Sequence, residues 1–308
     1  PSPPGKSTHS SILAATVDER LNTESPMTPG VGGYANGNLP PRQSGGGSVH
    51  GTGDALMVVS TAHIGFRARV IIVKLHAREW GHGERLAILL HGMMGSSGSW
   101  HRVGPVLAAR GYRVIAFDLP GHGRSPRDAH LSIDGVVAAV IETAHHYSAK
   151  APMLAVGHSY GGTVLAAARN QLQPETTVVV DAPTSARGGR DRDEAAARYA
   201  REARERSFDW LRATRPYYSE EDARIEAEAA KLFDPATAAA VSSAAGGSWP
   251  LPPGSVLIRP EPSLYVSDET AARLEASGVI VRGIAGAAHT VWYSHFDEFI
   301  TALPGRSS

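Results

Sequence analysis

The sequence predicts an α/β fold, an open and mostly parallel sheet with helices on both faces. Three observations predict it. From residue 86 onward, short aliphatic runs alternate with longer helical segments, the rhythm of βαβ units. The runs are continuous rather than alternating, as expected of strands buried on both sides. One stretch, residues 190–245, breaks the rhythm with helical segments alone and reads as an insertion on the sheet.

The elements follow in order. Residues 56–60 and 69–75 are β-rich and read as an antiparallel opening pair. Residues 86–90 (Leu-Ala-Ile-Leu-Leu) are the first buried strand, and a helix over about 100–110 ends at Gly111. Strand 113–117 comes next, then helix 132–147 with Ser132 as N-cap. Strand 152–156, helix 160–170 and strand 176–180 continue the pattern. Within the insertion, 190–206 carries six Arg and five acidic residues, with pairs such as Glu194 and Arg198 at i,i+4, and reads as a solvated helix face. A second helix spans 220–233, and a third spans 234–245 with Asp234 as N-cap and Pro235 at its first position. After Gly246-Gly247 the alternation resumes: strand 255–259, helix 267–276, strand 279–284 and a last helix over 291–303. The strands number about eight.

Residues 1–54 differ from the rest. They hold 10 Gly, 7 Pro and 7 Ser, with aliphatics too scattered to form a face, and are expected to be a disordered tail. They show no basic region followed by an apolar core, so they do not read as a secretory signal, and a cytoplasmic setting is expected. Across the chain 30 Lys and Arg balance 30 Asp and Glu, which argues against nucleic acid or an anionic membrane as partner. No stretch reaches the roughly 18 apolar residues of a membrane span. Cysteine is absent, which excludes disulfides, thiol nucleophiles and thiolate metal sites. No metal-binding motif of the H-E-x-x-H kind occurs, and no cofactor is expected.

The chemistry concentrates in Gly157-His158-Ser159-Tyr160-Gly161-Gly162, which has the form G-x-S-x-G and lies between a buried strand and an Ala-rich helix. The glycines permit a tight strand–turn–helix bend that points the serine hydroxyl outward at a helix N-terminus. Developing negative charge is favoured there. A serine hydroxyl needs a base. His289 follows the last strand and precedes the last helix, so it stands at the same sheet edge as Ser159. Among the other histidines, His145 and His146 are mid-helix, His295 is on the last helix, and His158 packs behind the bend. His91-Gly92-Met93-Met94-Gly95 closes the first parallel strand. Met93 can offer one backbone N–H to an oxyanion and Tyr160 the other, while His91 shapes the loop.

In its segments 89–95, Asp118-Leu119-Pro120-Gly121-His122-Gly123-Arg124-Ser125, 157–162 and 286–289, taken in that order, the chain resembles the α/β-hydrolase fold superfamily, in its serine esterase and lipase branch. The likeness covers about 55–304. It implies a core made of 55–182 and 251–308, and a helical lid over 183–250, inserted after the sixth strand (176–180). It also implies that Asp118 is structural. Relatives that open epoxides or remove halides carry Asp at the elbow, where this chain has Ser159.

The usual acid position after the seventh strand falls near Ser263, which cannot carry charge. Asp181, at the end of the sixth strand, takes the third place of the triad, with Glu261 as the alternative acid; Asp268 is placed to cap a helix. The activity implied is that of a serine hydrolase acting on a small-molecule carboxylic ester or related acyl substrate through an acyl-enzyme. The alternatives are acyl transfer, cyclisation, elimination or C–C cleavage at the same Ser/His site, or a ligand-binding protein without catalysis. Trp210, Tyr217 and Trp249 are candidate walls of an apolar substrate pocket.

Overall fold

The computed structural model describes residues 74–305. The expected tail and the first expected strand fall outside the described residues, as does most of the second. Within them, the aliphatic runs form strands. Strand β1 is Ala77–Trp80, β2 Arg85–Leu90 and β3 Tyr112–Phe117. A 3₁₀ turn at Ser97–Trp100 and helix α1 (Val103–Ala109) join β2 to β3. Helix α2 (Ile133–Tyr147), capped by Ser132 Oγ on Gly135 N, leads to β4 (Leu154–His158). Helix α3 (Tyr160–Leu172) and β5 (Thr176–Val180) follow.

Then comes the interruption. Strand β6 (Ser185–Gly188) opens it, helices α4 (Arg192–Glu205), α5 (Phe208–Thr214), α6 (Glu220–Leu232) and α7 (Pro235–Ser243) fill it, and β7 (Ala245–Ser248) closes it. β6 and β7 pair antiparallel, with Ala186 opposite Gly247, so the segment leaves and re-enters the core through one narrow neck. The sequence reading missed this hairpin. Its strands are short, rich in glycine and alanine and mostly exposed, so no apolar alternation betrays them. Strand β8 (Val256–Glu261), helix α8 (Asp268–Ala276) and β9 (Ile280–Ala285) complete the sheet. The expected last helix is two pieces, α9 (Val291–Ser294) and α10 (Phe296–Ala302). His295 departs from helical dihedrals between them (φ −135°, ψ 70°), and the Ser294 hydroxyl bonds Val291 O and Ala288 N.

The sheet order is β1-β3-β2-β4-β5-β8-β9. All neighbours are parallel except β1, which runs antiparallel to β3 at the edge. The continuous aliphatic runs divide by alternation between two layers. Leu89, Val114, Val156, Val178 and Ile258 face a layer containing Trp100, Trp292 and Phe299, with the two tryptophan rings stacked at 4.3 Å. Leu86, Ile88, Ile115 and Ala155 face Val136, Val140, Val164 and Leu165 of α2 and α3. The parallel strands thus put their C-terminal ends on one edge, where Gly92, Ser159, Asp181 and His289 emerge.

Candidate active site

Ser159 sits between β4 and α3 with φ 50° and ψ −121°, a region that L-residues rarely occupy. The surrounding backbone imposes it. Ser159 N donates to Val180 O at 2.9 Å, while Gly162 N and Thr163 N donate to Ser159 O at 2.8 and 3.1 Å. The glycines of the bend have no room for side chains: a Cβ at Gly161 would overlap the carbonyl oxygens of Leu90 and His91, and one at Gly157 would overlap Gly161 O. Because these obstacles are backbone atoms, Gly161→Ala is expected to destabilise the fold by about 3 kcal/mol, the upper end for overpacking. A urea unfolding midpoint unchanged from wild type would contradict that expectation.

The loop after β2 lies directly against this bend. A Cβ on Gly92 would stand 3.2 Å from Ser159 Cβ and 2.8 Å from His158 Nδ1. Gly95 N closes a turn on Gly92 O, and Met94 takes a left-handed φ of 62° within it. His91 ties the loop down: its Nδ1 lies 2.7 Å from Gly92 O, and its Nε2 accepts from Leu119 N at 2.9 Å. That arrangement requires the proton on Nδ1. Asp118 stays structural, accepting from Ser97 N, Arg124 N and His76 Nδ1. Among the described residues, the backbone amides of Met93 and Tyr160 have no hydrogen-bond partner.

Asp181 ends β5 with φ 43° and is buried, 1% exposed. Its backbone N–H extends the pairing with β8 by donating to Ile258 O at 2.8 Å. Its Oδ2 lies 2.7 Å from His289 Nδ1. Its Oδ1 accepts from Ser263 Oγ at 2.5 Å. Ser263 Oγ itself accepts from Tyr265 N and Val266 N, so its one proton is committed to Asp181. Ser263 therefore stands where an acid was expected and serves the acid instead. Tyr265 stacks on the His289 ring at 4.1 Å, and His158 Nε2 donates to His289 O at 3.0 Å. The structure thus brings Asp181 to His289. Glu261 is exposed, and its carboxylate lies over Gly283 of β9 rather than on the histidine. Asp268 is exposed at the start of α8, paired with the buried Arg259. Among the described hydrogen bonds none joins Ser159 to His289; such contacts commonly tighten only around substrate.

The candidate pocket residues divide. Trp210 and Tyr217 pack at the border of the layer that holds Trp292 and Ala287, on the side of the His289 loop. Trp249 packs beside Leu251 and Ala182, next to the neck. Met93 and Met94 meet Phe233, with Ala195 and Tyr199 of α4 and Ala238 and Ala239 of α7. Ser263, Tyr265 and Met94 escaped sequence reasoning. A polar residue at the vacant acid position, followed two residues later by an aromatic, was the available signal for the first two.

Three histidines around the site are kept neutral. Burial pulls His122 down to about 3, with neighbouring His91 adding to the effect. Burial lowers His91 as well, and lowers His158 strongly with help from His289. On unfolding each would regain its ordinary value near 6.5. Between that pH and its folded value, the unfolded chain holds the extra proton. Stability is therefore expected to fall as pH drops below about 6.5, most of all through His122, for which the slope approaches about 1.4 kcal/mol per pH unit. Urea midpoints at pH 7.5 and 5.0 measure this, and His122→Asn should make the fall shallower. A flat profile between those pH values would contradict the burial of these rings. Among the described residues, no cluster of three His, Asp or Glu is arranged to hold a metal, and no helix is long and apolar enough to cross a membrane.

A profile of the family described as "Alpha/beta hydrolase family" matches residues 87–302. The chain is 35% identical over 127 residues to a protein named Lipase LipV of Mycobacterium tuberculosis, which is 40% of this chain and 47% of that protein. It is 38% identical over 82 residues to Epoxide hydrolase B of the same organism, 26% of this chain and 23% of that protein. The matched segments thus span less than half the length of these curated relatives. Among solved structures, a bromoperoxidase from Bacillus anthracis superposes with a TM-score of 0.61 at 20% identity, covering 75% of this chain and 94% of the other. An esterase from a marine microorganism gives 0.56 at 18% identity, covering 74% and 97%. At such identities the structural likeness speaks for the fold alone.

Proposed function

Because the chain belongs to the alpha/beta hydrolase family, we propose that it is a serine hydrolase that cleaves a carboxylic ester or related acyl compound through an acyl-enzyme. The observation that carries the proposal is the 2.7 Å contact between His289 Nδ1 and the buried Asp181 carboxylate, at the sheet edge where Ser159 occupies its strained bend. In this reading Ser159 Oγ attacks the substrate carbonyl while His289 Nε2 takes the hydroxyl proton. Asp181 accepts from Nδ1–H, fixing the tautomer that leaves Nε2 free and stabilising the imidazolium. The Met93 and Tyr160 amides hold the tetrahedral oxyanion, donors of a kind worth about 10²–10³ in rate each. The imidazolium then protonates the leaving alcohol. Water, deprotonated by His289, releases the acid and restores Ser159.

The family includes epoxide-opening relatives, but that chemistry uses a carboxylate nucleophile, and the elbow here carries Ser159. The contact of an acid with His289 completes the set of groups that an acyl-enzyme route needs. Helices α4–α7 serve as the lid in this proposal, since α4 and α7 pack on the Met93 loop. A fluorophosphonate probe tests the proposal. Covalent labelling mapped to Ser159, together with release of free acid from a nitrophenyl ester, is expected. Unlabelled protein without ester turnover would overturn it.

A further inference from the structure

Helix α6 carries two buried carboxylates on the face it turns inward. Asp222 is 0% exposed and Glu226 5%. Four residues apart, they lie one above the other, on a buried face otherwise made of Ala223, Ala227, Ala229 and Ala230. A buried carboxylate is costly unless donors satisfy it. Asp222 accepts from His101 Nε2 at 2.8 Å and from Ser219 N at 2.9 Å. Glu226 Oε1 accepts from Ser99 Oγ at 2.7 Å and from the Tyr293 hydroxyl at 2.9 Å, and Oε2 accepts from Arg206 Nη2 at 3.2 Å.

The donors on Oε1 are informative by their place. Ser99 belongs to the 3₁₀ turn immediately after the Gly92–Gly95 turn, and its hydroxyl also accepts from Ser96 N at 3.3 Å. Ser99 Oγ is packed so tightly on that turn that a Cβ at Gly95 would stand 2.9 Å from it. The Ser99 carbonyl accepts from Trp292 Nε1 at 2.9 Å and also faces the Tyr293 hydroxyl at 3.1 Å, whose one proton is shared between it and Glu226 Oε1. Tyr293 lies on α9, in the segment that follows His289. One oxygen of the insertion thus holds both the exit of the Met93 loop and the helix behind the histidine loop.

We propose that Glu226 is a positioning residue, fixing from the insertion the place of the Met93 amide relative to Ser159 and His289. This rests on the proposed role of Met93 in the oxyanion hole. The insertion is then part of the catalytic geometry and not only a cover over it.

Ser99→Ala, Glu226→Ala and Glu226→Gln test this. The readouts are kcat and KM on a soluble nitrophenyl ester and the inhibition constant of a trifluoromethyl ketone, whose tetrahedral adduct needs the oxyanion donors. Ser99→Ala and Glu226→Ala are expected to lower kcat about 10- to 100-fold with KM within about 3-fold, in line with a weakened oxyanion donor. Ketone affinity should fall by the same factor. Glu226→Gln keeps an oxygen acceptor for Ser99 and Tyr293 and should recover most of the loss. Unchanged kcat in Ser99→Ala, or a loss not followed by the ketone, would overturn the proposal. Should Glu226→Ala fail to fold, Ser99→Ala and Glu226→Gln decide alone. Should wild type show neither turnover nor probe labelling, the hydrolase reading fails separately. Hydrogen exchange at 93–99 then decides whether Glu226 holds this loop: faster exchange in Ser99→Ala supports it, and equal exchange overturns it.

Discussion

Ser159→Ala is expected to lower turnover of a simple nitrophenyl ester by about 10⁶, because removing the nucleophile of such a triad leaves only binding and the oxyanion donors. The fold should survive. Alanine is smaller than serine, Ser159 holds its neighbours through backbone groups, and its hydroxyl makes none of the described hydrogen bonds. The backbone strain at this position is expected to persist, because alanine keeps the Cβ that makes the conformation unfavourable, so the melting temperature should stay close to that of wild type. Parallel rate and melting measurements separate the two effects. A variant that keeps a tenth of the wild-type rate would show that another group attacks.

The second large effect belongs to the acid. Asp181→Asn should lower kcat by about 10³ to 10⁴ with little change in KM, because an amide facing Nδ1 stabilises the wrong tautomer and cannot balance an imidazolium. Glu261→Gln should change kcat only a few-fold, since that carboxylate lies over β9 in solvent. The reverse ranking would move the acid to the loop after β8. Two mild variants would mean that a neutral group or water orients His289, and would favour the non-hydrolytic alternatives.

What could be read beforehand follows the range of the forces involved. The bend at Ser159 was legible because its requirements are local: two glycines, a buried strand before, a helix after. The strands were legible because burial on both faces writes itself as continuous aliphatic runs. Asp181 and Glu261 were harder to separate, because the choice depends on which side chain reaches the His289 ring, and the one that does lies 108 positions earlier in the chain. The spacing of residues along each strand does not record that. Glu226 was missed for a different reason. The charge of the insertion, read as composition, suggests a solvated surface. Read by helical face, Asp222 and Glu226 fall among the alanines of α6 and not among its exposed Glu221, Arg224 and Glu228. A carboxylate on the apolar stripe of a helix is a sign that a donor waits opposite. The β6–β7 neck left no such trace, since backbone pairing between distant glycine-rich strands has no side-chain signature.

That neck has a consequence for how such a chain can change over evolutionary time. Two adjacent strands stand about 5 Å apart, so everything between β6 and β7 begins and ends at nearly one point. To the sheet it is a long loop, and lengthening a closed loop adds little entropic penalty, about 0.6 kcal/mol per doubling. Helices can be added, lost or exchanged beyond the neck without shifting the register of β5 against β8. Drift in substrate preference is thereby decoupled from the strands that carry Ser159, Asp181 and His289. What limits the exchange is the set of contacts that reach back from the insertion to the core, among them Asp222 on His101, α4 and α7 on the Met93 loop, and Glu226 on Ser99 and Tyr293.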